Sequence, residues 1–104
     1  MTFPRWVKEY IWRRSGGLCE RKLPNGKRCL APAVDFHHIV TKGMGGRKGM
    51  MRKLFDDPRN GMAVCCGCHD ERHNTGNWNA DADSLVPGAD FRLALRTRMG
   101  LTHD

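Results

Sequence analysis

The feature that most restricts the fold of this 104-residue chain is a set of five cysteines in separate segments. Cys65 and Cys68 form a Cys-x-x-Cys pair with Cys66 between them, and Cys19 and Cys29 stand well before that pair. A chain of this length buries a modest core and needs an additional cross-link. Because Cys-x-x-Cys is a common zinc-ligand spacing, we predict a structural zinc held by Cys19, Cys29, Cys65 and Cys68, with Cys66 spare.

The amino-terminal segment contains no continuous apolar run. We therefore expect no signal peptide, no membrane span and a cytoplasmic location. In a reducing compartment an odd number of cysteines indicates metal ligands rather than disulfides. A different interpretation of Cys19 and Cys29, as small buried hydrophobic residues, stays open at this point.

Four histidines accompany the cysteines in two pairs. His37 and His38 are adjacent in the apolar segment 36–40, and a strand there would point the two rings to opposite faces. His69 and His73 are four residues apart directly after Cys68, so on a helix they would share one face. This pattern predicts that histidines from the strand and the helix close around one metal ion.

These residues resemble the motifs of the HNH endonuclease family. The His-His-Ile motif corresponds to residues 37–39, the glycine-rich turn to residues 43–46, the middle Asn to Asn60, and the His after the knuckle to His69. The resemblance covers residues 15 to 74, and the ordered set is more specific than its parts. The chain departs from the family in one respect: nine residues, rather than two, separate Cys19 from Cys29.

The resemblance implies an α+β fold, a small zinc-stapled domain with a ββα-metal core. We expect one domain over residues 1–104, a core at about 15–74, an amino-terminal helix over 4–14 and a carboxy-terminal helix over about 90–99. In the first helix, Thr2 is a candidate cap and Trp6, Val7, Tyr10 and Ile11 form a predicted core stripe. In the last helix, the predicted packing face consists of Phe91, Ala94, Leu95 and Arg98.

The resemblance also implies a function, the hydrolysis of DNA phosphodiester bonds to 5′-phosphate and 3′-hydroxyl ends. His38 would be the general base, and Asn60 would tie the loop between the strands and so orient that base. A divalent ion, whether Mg, Mn, Ni or Zn, would be bound by His37, His69 and His73. Asp35 is either a partner of the His37 ring or a solvent-exposed carboxylate.

The positive charge is concentrated in the first part of the chain. Residues 1–60 contain 14 Lys or Arg and 5 Asp or Glu, whereas residues 61–104 contain 4 and 6. Such a field favours nucleic-acid binding, and we expect DNA as the partner of a monomeric protein. The candidate phosphate contacts lie in or beside the glycine-rich loop: Lys42, Arg47, Lys48, Arg52 and Lys53.

Two other functions fit the same residues. A non-catalytic, zinc-stapled nucleic-acid-binding module would need the cysteines and the basic face but not His38. A small HNH domain also resembles those beside phage DNA-packaging motors. In that case nicking would depend on packaging proteins, and the phage-encoded chain would act inside its host cell.

Overall fold

A computed structural model describes residues 3–40, 49–74 and 79–98. The elements, in chain order, are α1 (Arg5–Ser15), β1 (Asp35–His38), α2 (Gly49–Phe55), a 3-10 turn (Pro58–Asn60), β2 (Gly61–Val64), α3 (Cys66–Asn74) and α4 (Ala89–Arg98). Four helices and one two-stranded antiparallel sheet confirm the predicted α+β class. None of the described helices has the length and apolarity needed to cross a bilayer.

Strands β1 and β2 form the hairpin that places the histidines. The register pairs Asp35 with Val64, Phe36 with Ala63, His37 with Met62, and His38 with Gly61. Side chains that are paired across the strands share a face, and successive side chains alternate between faces. His37 and His38 therefore belong to opposite faces of the sheet, as the sequence predicts.

Each face of the hairpin has its own core. On the face of Ala63, helix α1 contributes Val7 and Ile11, and Phe3 closes the cluster. On the other face, Met62 and Val64 pack in a cluster with Cys19, Ile39, Cys65, Cys68, Ala80 and Val86. All four residues of β2 are buried, so this short strand is the centre of the fold.

Helix α1 buries less of its surface than the sequence predicts. Val7 and Ile11 are fully buried, but Trp6 is 62% exposed and Tyr10 is 54% exposed. The predicted core stripe is therefore wrong for these two aromatic residues. The helix packs on a sheet of only two strands. This sheet is too narrow to cover Trp6 and Tyr10 in addition to Val7 and Ile11. Gly16 adopts a left-handed conformation (φ 69°) just after the helix ends.

Helix α4 also packs differently from the prediction. Arg92 and Leu95 are its buried residues, whereas Ala94 and Arg98 are exposed and Phe91 is partly buried. The Arg92 guanidinium donates hydrogen bonds to the carbonyls of Arg59, Pro87 and Val86 and pairs with Asp81. The irregular segments before α4 have carbonyls that need donors, and a buried arginine supplies several at once.

Gly61 is the point where α1 comes closest to the hairpin. A Cβ atom there would lie 2.6 Å from Ile11 Cδ1 and 2.8 Å from Phe3 Cζ, both in buried side chains. We expect Gly61→Ala to lower the free energy of unfolding by about 1–3 kcal/mol through overpacking. Chemical denaturation measures this loss.

The matched control is Gly67→Ala in α3, where a Cβ would meet no heavy atom within 4 Å. Because alanine is the better helix former, this variant should be as stable as the wild type or slightly more stable. Equal stability of the two variants would contradict the close approach of α1 to Gly61.

Candidate metal sites

The four predicted zinc-binding cysteines converge in the folded chain. The segment between Cys19 and Cys29 reverses direction in a turn. In this turn the Gly26 N–H donates a hydrogen bond to the Leu23 carbonyl. This turn brings Cys29 to the Cys65–Cys68 pair at the junction of β2 and α3. The four sulfur atoms lie within 4.8 Å of one another. The chain could therefore hold a structural metal such as zinc at this cluster.

The sulfur spacing fits a tetrahedral ion. Cys29 Sγ lies 3.9 Å from Cys65 Sγ and 3.8 Å from Cys68 Sγ. With zinc–sulfur bonds of about 2.3 Å, a tetrahedral site has sulfur–sulfur edges of about 3.8 Å. Cys66 is exposed and outside the cluster, in agreement with the prediction that it is spare.

The thiols differ in how readily they ionise. Burial raises the pKa of Cys19 to about 12 and also raises the pKa of Cys68. Burial opposes ionisation of Cys65 too, but hydrogen bonds from the Cys68 backbone N–H and neighbouring thiols lower its pKa below the usual value. The Cys68 N–H, 3.3 Å from Cys65 Sγ, would stabilise a thiolate at Cys65.

Arg21 places a positive charge beside the cysteine cluster. Its Nη1 lies 3.5 Å from Cys68 Sγ, and its guanidinium also makes two 3.0 Å hydrogen bonds to the Glu71 carboxylate. A four-thiolate zinc site carries excess negative charge, which a guanidinium at this distance partly offsets. Arg21 could not be identified from the sequence, because nothing local distinguishes it from the other cations of its segment.

A second group of potential ligands lies where β1 meets α3. The rings of His37 and His69 are edge to face, with centroids 6.3 Å apart. Asp35 Oδ2 lies 3.5 Å from His69 Nε2, and the Asp35 side chain is 56% exposed. Asp35 is therefore both exposed and next to an imidazole, that of His69.

The distance between these two imidazole rings is close to the largest at which both could bind the same metal ion. With metal–nitrogen bonds of about 2.1 Å, two such rings have centroids no more than about 6.5 Å apart. Binding at a tetrahedral or octahedral angle would draw them closer together. In the described ranges, the cysteine cluster is the one group of three or more His, Cys, Asp or Glu side chains that could hold a metal ion together. The side chain of His73, in α3, lies outside what the structure describes.

His38 occupies a different environment from His37. Its ring is stacked between Phe3, with centroids 3.8 Å apart, and Phe55, with centroids 4.3 Å apart. His38 Nε2 lies 2.9 Å from Asp56 Oδ1, and Asp56 Oδ2 accepts from Arg52 Nε at 2.8 Å. Burial lowers the pKa of His38, while the hydrogen bond to Asp56 acts in the opposite direction.

The carboxylate determines which nitrogen of His38 carries the proton. An ionised carboxylate only accepts hydrogen bonds, so Nε2–H donates to Asp56 and, in the neutral ring, Nδ1 keeps its lone pair. Nδ1 is therefore the atom that can accept a proton. Phe3, Phe55 and Asp56 could not be identified from the sequence as neighbours of His38, since all three are distant from it in the chain.

Asn60 ties the segment between the strands, as predicted. Its Oδ1 accepts the Val40 N–H at 2.7 Å, and its Nδ2 donates to the carbonyls of Phe55 (2.9 Å) and Val40 (3.3 Å). The side chain is fully buried. Asn60 thus holds both ends of the β1–β2 connection and the chain just after His38.

The predicted DNA-binding residues are only partly described. Lys42, Arg47, Lys48 and the glycine-rich turn over residues 43–46 lie outside the described residues. Lys53, in α2, is exposed. Arg52 is 42% exposed but is held by Asp56, so it is less free to turn towards a phosphate.

A scan against protein-family models finds none that matches this chain, and a search of curated proteins also finds no match. The function is therefore inferred from the residues and their geometry.

Loss of one clustered cysteine should release the metal. We expect Cys68→Ser to abolish stoichiometric zinc binding and to lower the melting temperature sharply, because zinc binding contributes directly to the folding of small domains. Elemental analysis and thermal denaturation measure the two effects. Cys66→Ser, at the exposed cysteine two residues earlier, is the matched control and should retain both zinc and stability. Equal zinc content in the two variants would contradict the site.

Proposed function

We propose that this protein is a metal-dependent DNA endonuclease of the HNH type. The observation that carries the proposal is the approach of His37, on β1, to His69, on α3. The hairpin that presents His37 is tied by Asn60, and a cysteine cluster anchors the start of α3. Hairpin, helix and ligand pair together support the ββα-metal interpretation.

The proposed metal ligands are His37 and His69, with His73 as a third. A divalent ion bound there would supply Lewis-acid charge to the phosphate and to the leaving oxygen. Asp35 Oδ2, 3.5 Å from His69 Nε2, would orient the His69 ring.

His38 would act as the general base in this proposal. With Nε2–H donated to Asp56, Nδ1 is the atom that would take the proton from water, a contribution of about 10²–10⁴-fold. Because the side chain is only 10% exposed, the role requires that Nδ1 lie on its exposed edge. Products would carry 5′-phosphate and 3′-hydroxyl ends.

A second candidate function is a zinc-stapled nucleic-acid-binding module without catalysis. The packing of His38 favours it, because a ring stacked between two phenylalanines and bonded to Asp56 has a structural role. His38 alone therefore does not distinguish an enzyme from a binding module. The His37–His69 pair does distinguish the two functions, since a binding module would not need these metal ligands.

Plasmid nicking distinguishes the two functions. We expect the wild type to convert supercoiled DNA to the nicked form only when a divalent ion is added. His69→Ala should raise the ion concentration needed, because it removes a ligand. Wild-type protein that binds DNA but does not nick it with Mg²⁺, Mn²⁺, Ni²⁺ or Zn²⁺ would support the binding module instead.

The variant His38→Gln tests the proposed role of His38 as general base. Glutamine is preferred to alanine, which would leave a larger gap between Phe3 and Phe55. A glutamine amide can still donate to Asp56 but cannot act as a base at neutral pH. We expect nicking to fall by about 10²-fold or more, without rescue by excess metal. Zinc content and DNA affinity should stay near wild type. Undiminished nicking would assign His38 a structural role only.

Lys53 tests the predicted phosphate contacts within the described residues. If Lys53 contacts one phosphate of duplex DNA, Lys53→Ala should reduce the slope of log affinity against log salt by about 0.9. Lys27→Ala, at an exposed lysine in the Cys19–Cys29 turn, is the matched control and should leave the slope unchanged. Equal slopes for both variants would place Lys53 outside the DNA interface.

A further inference from the structure

Helix α1 exposes three large aromatic side chains that no core packing explains. Trp6, Tyr10 and Trp12 are 62%, 54% and 50% exposed. Among the described residues, the other large apolar side chains with comparable exposure are aliphatic: Leu30, Val34, Leu85 and Leu93. Single exposed apolar residues are ordinary, but three exposed aromatic rings on one 11-residue helix are an unusual number. Because successive helical residues turn by about 100°, Trp6 and Tyr10 lie on one side of the exposed surface and Trp12 lies on the other.

Positive charges are interleaved with these rings. Arg5, Lys8 and Arg13 lie on the same helix, and Glu9 is its one acidic residue. Arg5 pairs with Glu9 at 3.3 Å, whereas Lys8 and Arg13 have no ion-pair partner within residues 3–40, 49–74 and 79–98. The helix surface therefore offers cations that internal contacts do not neutralise.

Two shallow grooves bring the rings and cations together. One, of about 460 Å³, is lined by Arg5, Lys8, Glu9, Trp12, Arg13 and Phe36. The other, of about 650 Å³, is lined by Trp6, Glu9, Tyr10, Arg13 and Arg14. Glu9 and Arg13 line both and so form the ridge between them. Each groove thus has at least one exposed aromatic ring, and the Glu9 carboxylate and the Arg13 guanidinium stand between the two grooves.

We propose that the exposed surface of α1, with the two grooves on either side of Glu9 and Arg13, binds a single-stranded nucleic acid. Bases would stack on Trp6, Tyr10 and Trp12, and phosphates would contact the cations around Arg13. The strand must be unpaired, because the faces of bases inside a duplex are already stacked on their neighbours. A second copy of this chain is a poorer occupant, since two positively charged surfaces would repel each other.

The α1 surface is separate from the proposed metal ligands His37 and His69. Helix α1 packs on the sheet face of Phe36 and Ala63, whereas His37 belongs to the opposite face. The proposal therefore does not depend on nuclease activity. An 11-residue helix is about 16 Å long, and a nucleic-acid strand advances at least about 3.4 Å per nucleotide. The face therefore accommodates about five nucleotides at most.

Fluorescence anisotropy tests the proposal with labelled dT12 and a 12-base-pair duplex, without added divalent metal. We expect the double variant Trp6→Ala/Tyr10→Ala to bind dT12 about 25-fold more weakly, from about fivefold for each ring. Trp12→Ala should lose about fivefold. Duplex affinity should change by less than about twofold in all variants, since stacking contributes only to unpaired bases.

Matched controls separate stacking from general effects. Leu93→Ala removes an exposed apolar side chain from α4 and should leave dT12 affinity unchanged. Arg13→Gln should weaken dT12 binding more than Lys27→Gln, which removes an exposed charge from another surface. Circular dichroism and zinc content should match wild type in every variant, because the substituted residues are exposed.

Two outcomes would overturn the proposal. One is equal dT12 affinity for the wild type and the aromatic variants. The other is a wild-type dimer in sedimentation that the aromatic substitutions dissociate while dT12 affinity stays unchanged, since this would assign the face to self-association. Loss of nicking in His69→Ala with full dT12 affinity would confirm that the two surfaces are independent.

Discussion

The convergence of four sulfur atoms from separate segments is the constraint on which the rest of this structure depends. Cys65 directly follows the central strand and Cys68 lies in the first turn of α3, so the cluster fixes the angle at which that helix leaves the sheet. That angle decides where His69 lies relative to His37. A metal at the cysteines would thus support the proposed His37–His69 site at a distance, through the direction of one helix.

The alternation of a strand then divides two adjacent histidines between two environments. His37 faces the side of α3, where exposed Asp35 and His69 lie. His38 faces the side of α1, where aromatic rings and a carboxylate enclose it. The same enclosure fixes its tautomer and restricts its access to water. Preorganisation and accessibility therefore compete at this residue, and the balance between them separates a catalytic base from a structural histidine.

Several arginines in this basic chain serve the fold rather than a polyanion. Arg14 pairs with Glu20 and donates to the Pro58 and Gly61 carbonyls. Arg21 supports the cysteine cluster, and Arg92 satisfies carbonyls before α4. A small domain with long irregular segments has many carbonyls to satisfy, and a guanidinium can reach several. The formal net charge of +7 thus overstates the positive surface available to nucleic acid.

The sequence alone determined the limits of the two terminal helices and marked the Cys65–Cys68 pair as candidate ligands, because spacing and periodicity act over a few residues. The limits of α1 and α4 agree with prediction within one residue, and Cys66 was correctly separated from the clustered cysteines. Only the tertiary structure decided that Asp56 meets His38 and that Trp6 and Tyr10 face outwards. Those outcomes depend on which distant segments pack together and on the narrowness of a two-stranded sheet, and no local pattern encodes either.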